Sequence, residues 1–124
     1  PVAFATLKAG QQVSPEALLA FTAERVDEAP AKPKSITLLE RMPVTNVGKI
    51  YKPELRTLAT AAVVQSLTER VFANLPTHPD KWPQVMAEGD APVTVDATAT
   101  PPADWAQLKP LLEALPVKLR LLEP

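Results

Sequence analysis

An α+β fold, with a short β-sheet flanked by helices, is what this sequence predicts, and three observations carry the prediction. Four short runs are apolar or alternate apolar with polar residues: Val2 to Lys8, Ser35 to Glu40, Val93 to Ala97 and Val117 to Leu121. Among them lie three stretches with apolar residues at helical spacing, two of which start on a proline. The chain also holds 15 Pro against 3 Gly, more than double the average Pro usage of about 5%. Proline therefore sets most of the boundaries.

In chain order, Val-Ala-Phe-Ala-Thr-Leu-Lys (residues 2–8) contains no breaker and predicts a strand, with Ala9-Gly10 as the turn after it. Ser14-Pro15-Glu16 predicts a helix start. Ser14 can cap free backbone N–H groups, Pro15 suits the first helical position, and Glu16 favours the positive end of the dipole. Leu18, Leu19, Thr22 and Val26 share one face, with Phe21 and Ala23 at its margins and Glu24 and Asp27 pointing away. Pro30 and Pro33 place the helix end near Val26 to Glu28. Ser35 to Glu40 predicts the second strand, and Met42 to Ile50 a loop. Pro53-Glu54 opens a second helix with an apolar stripe of Leu55, Leu58, Ala59, Ala62 and Val63, continuing through Leu67 and Val71 to Leu75 before Pro76. Pro76 to Pro92 reads as irregular, with one helical turn around Trp82 to Ala87. Val93 to Ala97 predicts a strand. Asp104 is the expected cap of a third helix carrying Trp105, Leu108, Leu111, Leu112 and Leu115, weakened by Pro110. Val117, Leu119 and Leu121 predict the last strand. Trp82 and Trp105 are expected in the core or an interface, and His78 at the surface.

The 124 residues amount to one domain's worth, enough to bury roughly two-thirds of the unfolded surface. A net charge of -1, with 46% hydrophobic and 22% charged residues, excludes general disorder and argues against a nucleic-acid module. With no Cys and one His, disulfides, Cys-type metal sites and His-rich metal sites are excluded, so no metal ligands are assigned. No apolar run approaches the roughly 18 residues of a membrane span. The start lacks a basic leader region, so a cytoplasmic location is the expectation. A first residue of Pro leading straight into a strand suggests a chain cut from something longer.

Charge is uneven. Residues 1–62 carry 8 basic and 6 acidic side chains, and residues 63–124 carry 5 and 8. Lys32, Lys34, Arg41, Lys49, Lys52 and Arg56 concentrate around the loop Pro43-Val44-Thr45-Asn46-Val47-Gly48-Lys49. A basic patch beside a Gly-containing loop suits an anionic ligand, although a solvated mixed-charge face produces the same pattern. The loop is not a P-loop, which needs a Gly where Pro43 stands and a hydroxyl residue where Ile50 stands.

The segment Glu40-Arg41-Met42-Pro43-Val44-Thr45-Asn46-Val47-Gly48-Lys49-Ile50-Tyr51-Lys52-Pro53-Glu54-Leu55-Arg56 resembles the end of the adenylate-forming enzymes: acyl-CoA synthetases, peptide-synthetase adenylation domains and luciferases. Their final core motif is Pro-x-Thr-x-x-Gly-Lys, followed by a hydrophobic residue and a basic, Leu-containing helix. The upstream order is similar as well: a strand, Ser-Pro-Glu with an amphipathic helix ending Glu24-Arg25-Val26, then Lys32-Pro33-Lys34 and a strand. The likeness covers about residues 1–70. The Lys-Pro-Glu-Leu-Arg continuation is closer to the fatty-acyl-CoA and aryl-CoA synthetase branch. By this resemblance residues 1–75 form part of the family's small C-terminal domain, and residues 76–124 form an extension packed on it. The large ATP-binding domain, the hinge and the opening strands of the small domain would lie before Pro1.

The resemblance implies an AMP-forming acid–CoA ligase, joining a carboxylic acid to ATP with Mg2+ and passing the acyl-adenylate to CoA. Its partners would be the ATP-binding domain of the same protein and the acid substrate, with the acid, adenine and Mg2+ sites outside this segment. Lys49 matches the lysine of the adenylation step. There a carboxylate meets the α-phosphate, and an ammonium held between them stabilises the charge that builds on the phosphoryl oxygens. Gly48 would allow a close approach or a positive φ, Thr45 would hold the loop through a backbone group, and Pro43 would stiffen its start. Lys32, Lys34 and Lys52 are candidates for contacts to CoA phosphates, or else solvated surface lysines. Acetylation of Lys49 would neutralise it and switch off the first step. The alternative function is a stand-alone binding or regulatory module that keeps the fold without the chemistry.

Overall fold

Proline, serine and the alternating runs do organise the chain largely where the sequence places them. The computed structural model describes residues 1–124: a small α+β fold with three α-helices and two small sheets, divided into two compact units, Pro1–Tyr51 and Lys52–Pro124. The second helix therefore groups with the C-terminal residues in the second unit.

The first unit is a strand–helix–strand arrangement. β1 (Val2–Ala5) and β2 (Ser35–Leu38) pair in parallel, Val2 opposite Ser35 through Ala5 opposite Leu38. Parallel pairing requires a crossover, and α1 (Pro15–Arg25) supplies it, packing on β2. β1 is shorter than the apolar run 2–8 because Thr6 onward has no partner strand residue. Ser14 caps α1, its hydroxyl accepting from the Ala17 N–H at 3.1 Å, and Pro15 takes the first turn. The stripe Leu18, Leu19, Thr22 and Val26 is half-buried as expected, whereas Phe21 lies outside under the Arg25 guanidinium, 3.7 Å from its ring centre. No residue of this unit is fully buried.

The second unit holds the core. α2 (Lys52–Phe72) and α3 (Pro102–Glu113) accompany a three-stranded sheet ordered β3 (Gln84–Met86), β4 (Val93–Asp96), β5 (Leu119–Leu122). β3 runs antiparallel to β4, and β5 parallel to it after the α3 crossover. Val64 and Phe72 of α2, Val95 and Ala97 at β4, and Trp105, Leu108 and Leu112 of α3 form one buried cluster. Trp82 packs against Phe72 at 5.8 Å between ring centres and donates its Nε1–H to the Thr77 carbonyl.

Three expectations change. The turn of helix at Trp82 to Ala87 is strand β3, because Val85 pairs opposite Val95 and reaches the core. The fully buried face of α2 is Thr57, Val64, Thr68 and Phe72; of the expected stripe, Leu67, Val71 and Leu75 pack against the core, Leu55, Leu58 and Ala59 are half-buried, and Ala62 and Val63 are exposed, Val63 at 54%. The sheet selects this face, and Thr68 meets burial by donating its hydroxyl to the Val64 carbonyl at 2.9 Å. Asp104 is not the cap of α3: the helix starts earlier on Pro101-Pro102, and the Asp104 carboxylate accepts from the Thr77 hydroxyl instead. Pro110 does not stop α3, which continues to Glu113. The carbonyl that loses its helical donor belongs to Ala106, on the exposed side.

Candidate functional site

Residues 43–51 build a closed hairpin from backbone bonds and one side chain. Val44 and Ile50 form an antiparallel bridge, and the Tyr51 N–H donates to the Pro43 carbonyl at 2.9 Å. Inside it, the Thr45 N–H donates to the Lys49 carbonyl at 2.7 Å, and the Gly48 N–H to the Thr45 carbonyl at 2.9 Å. The Thr45 hydroxyl accepts from the Lys49 N–H at 3.2 Å. Thr45 thus binds both the N–H and the C=O of Lys49, and its small polar side chain does locally what a longer ladder would do.

Gly48 sits at φ +80°, with nothing within 4 Å of where a Cβ would stand. Of the two reasons a glycine could be needed here, the left-handed backbone is the operative one, and close approach within this chain is not. A left-handed residue ending a three-residue turn, Asn46-Val47-Gly48, is a recurrent way to close a hairpin.

The Lys49 side chain is exposed and takes part in none of the three ion pairs, which are Glu24–Arg25, His78–Asp80 and Lys109–Glu123. Pro43 and Thr45 are half-buried, so the frame of the loop is covered while its amine is presented. The hairpin brings Pro43, Thr45, Gly48 and Lys49 together. Lys32 (half-buried) and Lys34 (exposed) precede β2, whereas the hairpin follows the other end of that strand. Lys34 uses its backbone N–H to bind the Pro1 carbonyl at 2.8 Å. Lys52 is exposed at the first residue of α2, in the second unit.

Three apolar residues of this loop lie exposed. Val44, Val47 and Ile50 are 56%, 79% and 55% exposed. Val44 and Ile50 face each other across the hairpin, so they share one face while Thr45 and Lys49 share the other.

No cluster of three or more His, Cys, Asp or Glu side chains is placed to hold a metal ion, and no helix is long and apolar enough to cross a membrane. Compared with known protein families, curated proteins and solved structures, the chain matches none.

Proposed function

We propose that this chain is the lysine-bearing part of an AMP-forming acid–CoA ligase, with Lys49 as the group that stabilises adenylate formation. The observation that carries the reading is the Thr45–Lys49 clamp: the backbone of Lys49 is held twice by one threonine while its amine stays exposed and outside every ion pair. The motif Pro43-x-Thr45-x-x-Gly48-Lys49 supports it, because each residue has a physical task in that geometry. ATP with Mg2+ supplies the adenylyl group and CoA the acceptor thiol. An unpaired ammonium on a short hydrogen-bonded hairpin fits the phosphate and carboxylate oxygens of such substrates. Lys49 offsets the repulsion between the incoming carboxylate and the α-phosphate, and its long stem lets a compact charge reach into a site built by another part of the protein. Lys32, Lys34 and Lys52 remain candidates for CoA phosphate contacts.

The test is Lys49→Ala in the full-length protein. Acid-dependent pyrophosphate exchange, with the acid found by screening fatty and aryl acids for pyrophosphate release, should fall on the order of 100–1,000-fold. Thioester formation from a preformed acyl-adenylate should be largely spared. Wild-type exchange in the variant refutes the assignment.

A further inference from the structure

We propose that the groove between α2 and the segment Leu115–Lys118 binds a medium-chain aliphatic carboxylate, with its tail beside Val63 and its head between Arg56 and Lys118. Two adjoining cavities carry the inference. The first, about 260 Å3, is walled by Ala59, Thr60 and Val63 of α2 and by Leu115, Pro116 and Val117, with no charged group among them. The second, also about 260 Å3, shares Thr60 and Val117 with the first and adds the side chains of Arg56, Lys118 and Asp90. An apolar cavity thus adjoins one lined by two cations and one carboxylate, a net charge of +1.

Val63 explains why the chamber exists. Its place in the apolar pattern of α2 reads as core, yet the core face passes through Val64 and Thr68 instead. Val63 and Val117 are left 54% and 43% exposed, facing a cavity rather than a neighbour. Neither Arg56 nor Lys118 joins an ion pair. Arg56 stands seven residues before Val63, which is roughly 10 Å along the helix axis. A straight chain of about eight carbons covers that distance. A guanidinium holds a carboxylate through two parallel hydrogen bonds, and the net charge suits a monoanion.

The site is distinct from the Lys49 hairpin, so the two readings fail independently. The test titrates butanoate, hexanoate, octanoate and decanoate into the 124-residue chain at fixed ionic strength, followed by calorimetry and amide NMR. Affinity should rise roughly fourfold per added methylene until the chamber fills. Octanol should bind at least about tenfold more weakly than octanoate, as loss of a charge-assisted contact requires. Arg56→Gln should reduce that preference severalfold, Val63→Asp should abolish binding, and Lys49→Ala should change nothing. Both altered groove positions are exposed, so circular dichroism should be unchanged; Arg56→Gln decides alone if Val63→Asp unfolds. Absence of saturable octanoate and decanoate binding overturns the proposal, as does an affinity flat across the series or unaffected by both groove variants. A dimer in sedimentation that Val63→Asp dissolves assigns the groove to a second copy of the chain and also overturns it.

Discussion

The Lys109 ammonium lies 2.6 Å from Oε1 of Glu123, and that same oxygen accepts the indole N–H of Trp105 at 3.0 Å. Two side chains one turn apart on α3 therefore hold the residue that follows β5. The hydrogen bond from Lys109, then that from Trp105, keeps the Glu123 carboxyl below its ordinary value of 4.5. The hydrogen bond to Glu123 and its charge hold Lys109 above 10.5.

Opposite pH dependences follow at the two ends of the scale. A carboxyl lowered in the folded state stabilises above its unfolded value and loses that contribution as pH falls through the folded value. An amine raised in the folded state stabilises below its unfolded value and loses it as pH rises through the folded one. The difference in thermal stability between the native chain and Glu123→Gln should thus be constant at neutral pH, and shrink below about 4.5 and above about 10.5. Both groups are exposed, so the difference is small and falls with added salt. Calorimetric scans across pH check it.

The core should concentrate the stability of the second unit. Leu108 is fully buried among Val64, Val95 and Trp105, so Leu108→Ala is expected to cost about 2–5 kcal/mol. Phe21→Ala, which removes an exposed ring under Arg25, should cost only about 0.5–1 kcal/mol. Denaturant unfolding followed by circular dichroism compares the two.

Amide exchange should separate the units in the same sense. Pro1–Tyr51 contains no fully buried residue, so its amides should exchange through low-energy local openings, whereas Val64, Phe72, Val95 and Leu108 should exchange only through global unfolding. Equal protection in both units contradicts this.

Within the hairpin, Thr45→Val removes the side-chain acceptor of the Lys49 N–H, and that amide should exchange roughly two- to tenfold faster. Gly48→Ala meets no steric obstacle but must hold φ +80°, which costs about 1–2 kcal/mol. Under the proposed function, both variants should lower adenylation in the full-length protein less than Lys49→Ala does.

Pro110→Ala restores the helical donor to the Ala106 carbonyl. Interior proline costs about 3 kcal/mol relative to alanine, and part of this is returned by the greater freedom of the unfolded chain. A net stabilisation of about 1–2 kcal/mol is expected from thermal unfolding.

Much of what depends on neighbours in the chain was legible, the cap expected at Asp104 excepted. Ser14 and Pro15 start α1 where their chemistry says, Gly48 takes a positive φ, and Thr45 bonds the backbone four residues on. The strands β1, β2, β4 and β5 lie within or next to the runs that predict them, because alternation and β-branched composition report on a half-buried pleated surface. Local bonds, caps and fixed torsions need no partner from elsewhere in the chain.

Only the tertiary structure decided what each element faces. Gln84–Met86 becomes a strand because Val95 lies opposite Val85, a partner ten residues away in the chain that no three-residue window contains. α2 turns Thr57, Val64, Thr68 and Phe72 inward although its apolar residues nearly encircle its first half, since the sheet and α3 cover one face and leave Val63 to a cavity. Burial is a property of the assembled surface, so a sequence names the residues able to fill a core while contact between distant segments chooses among them.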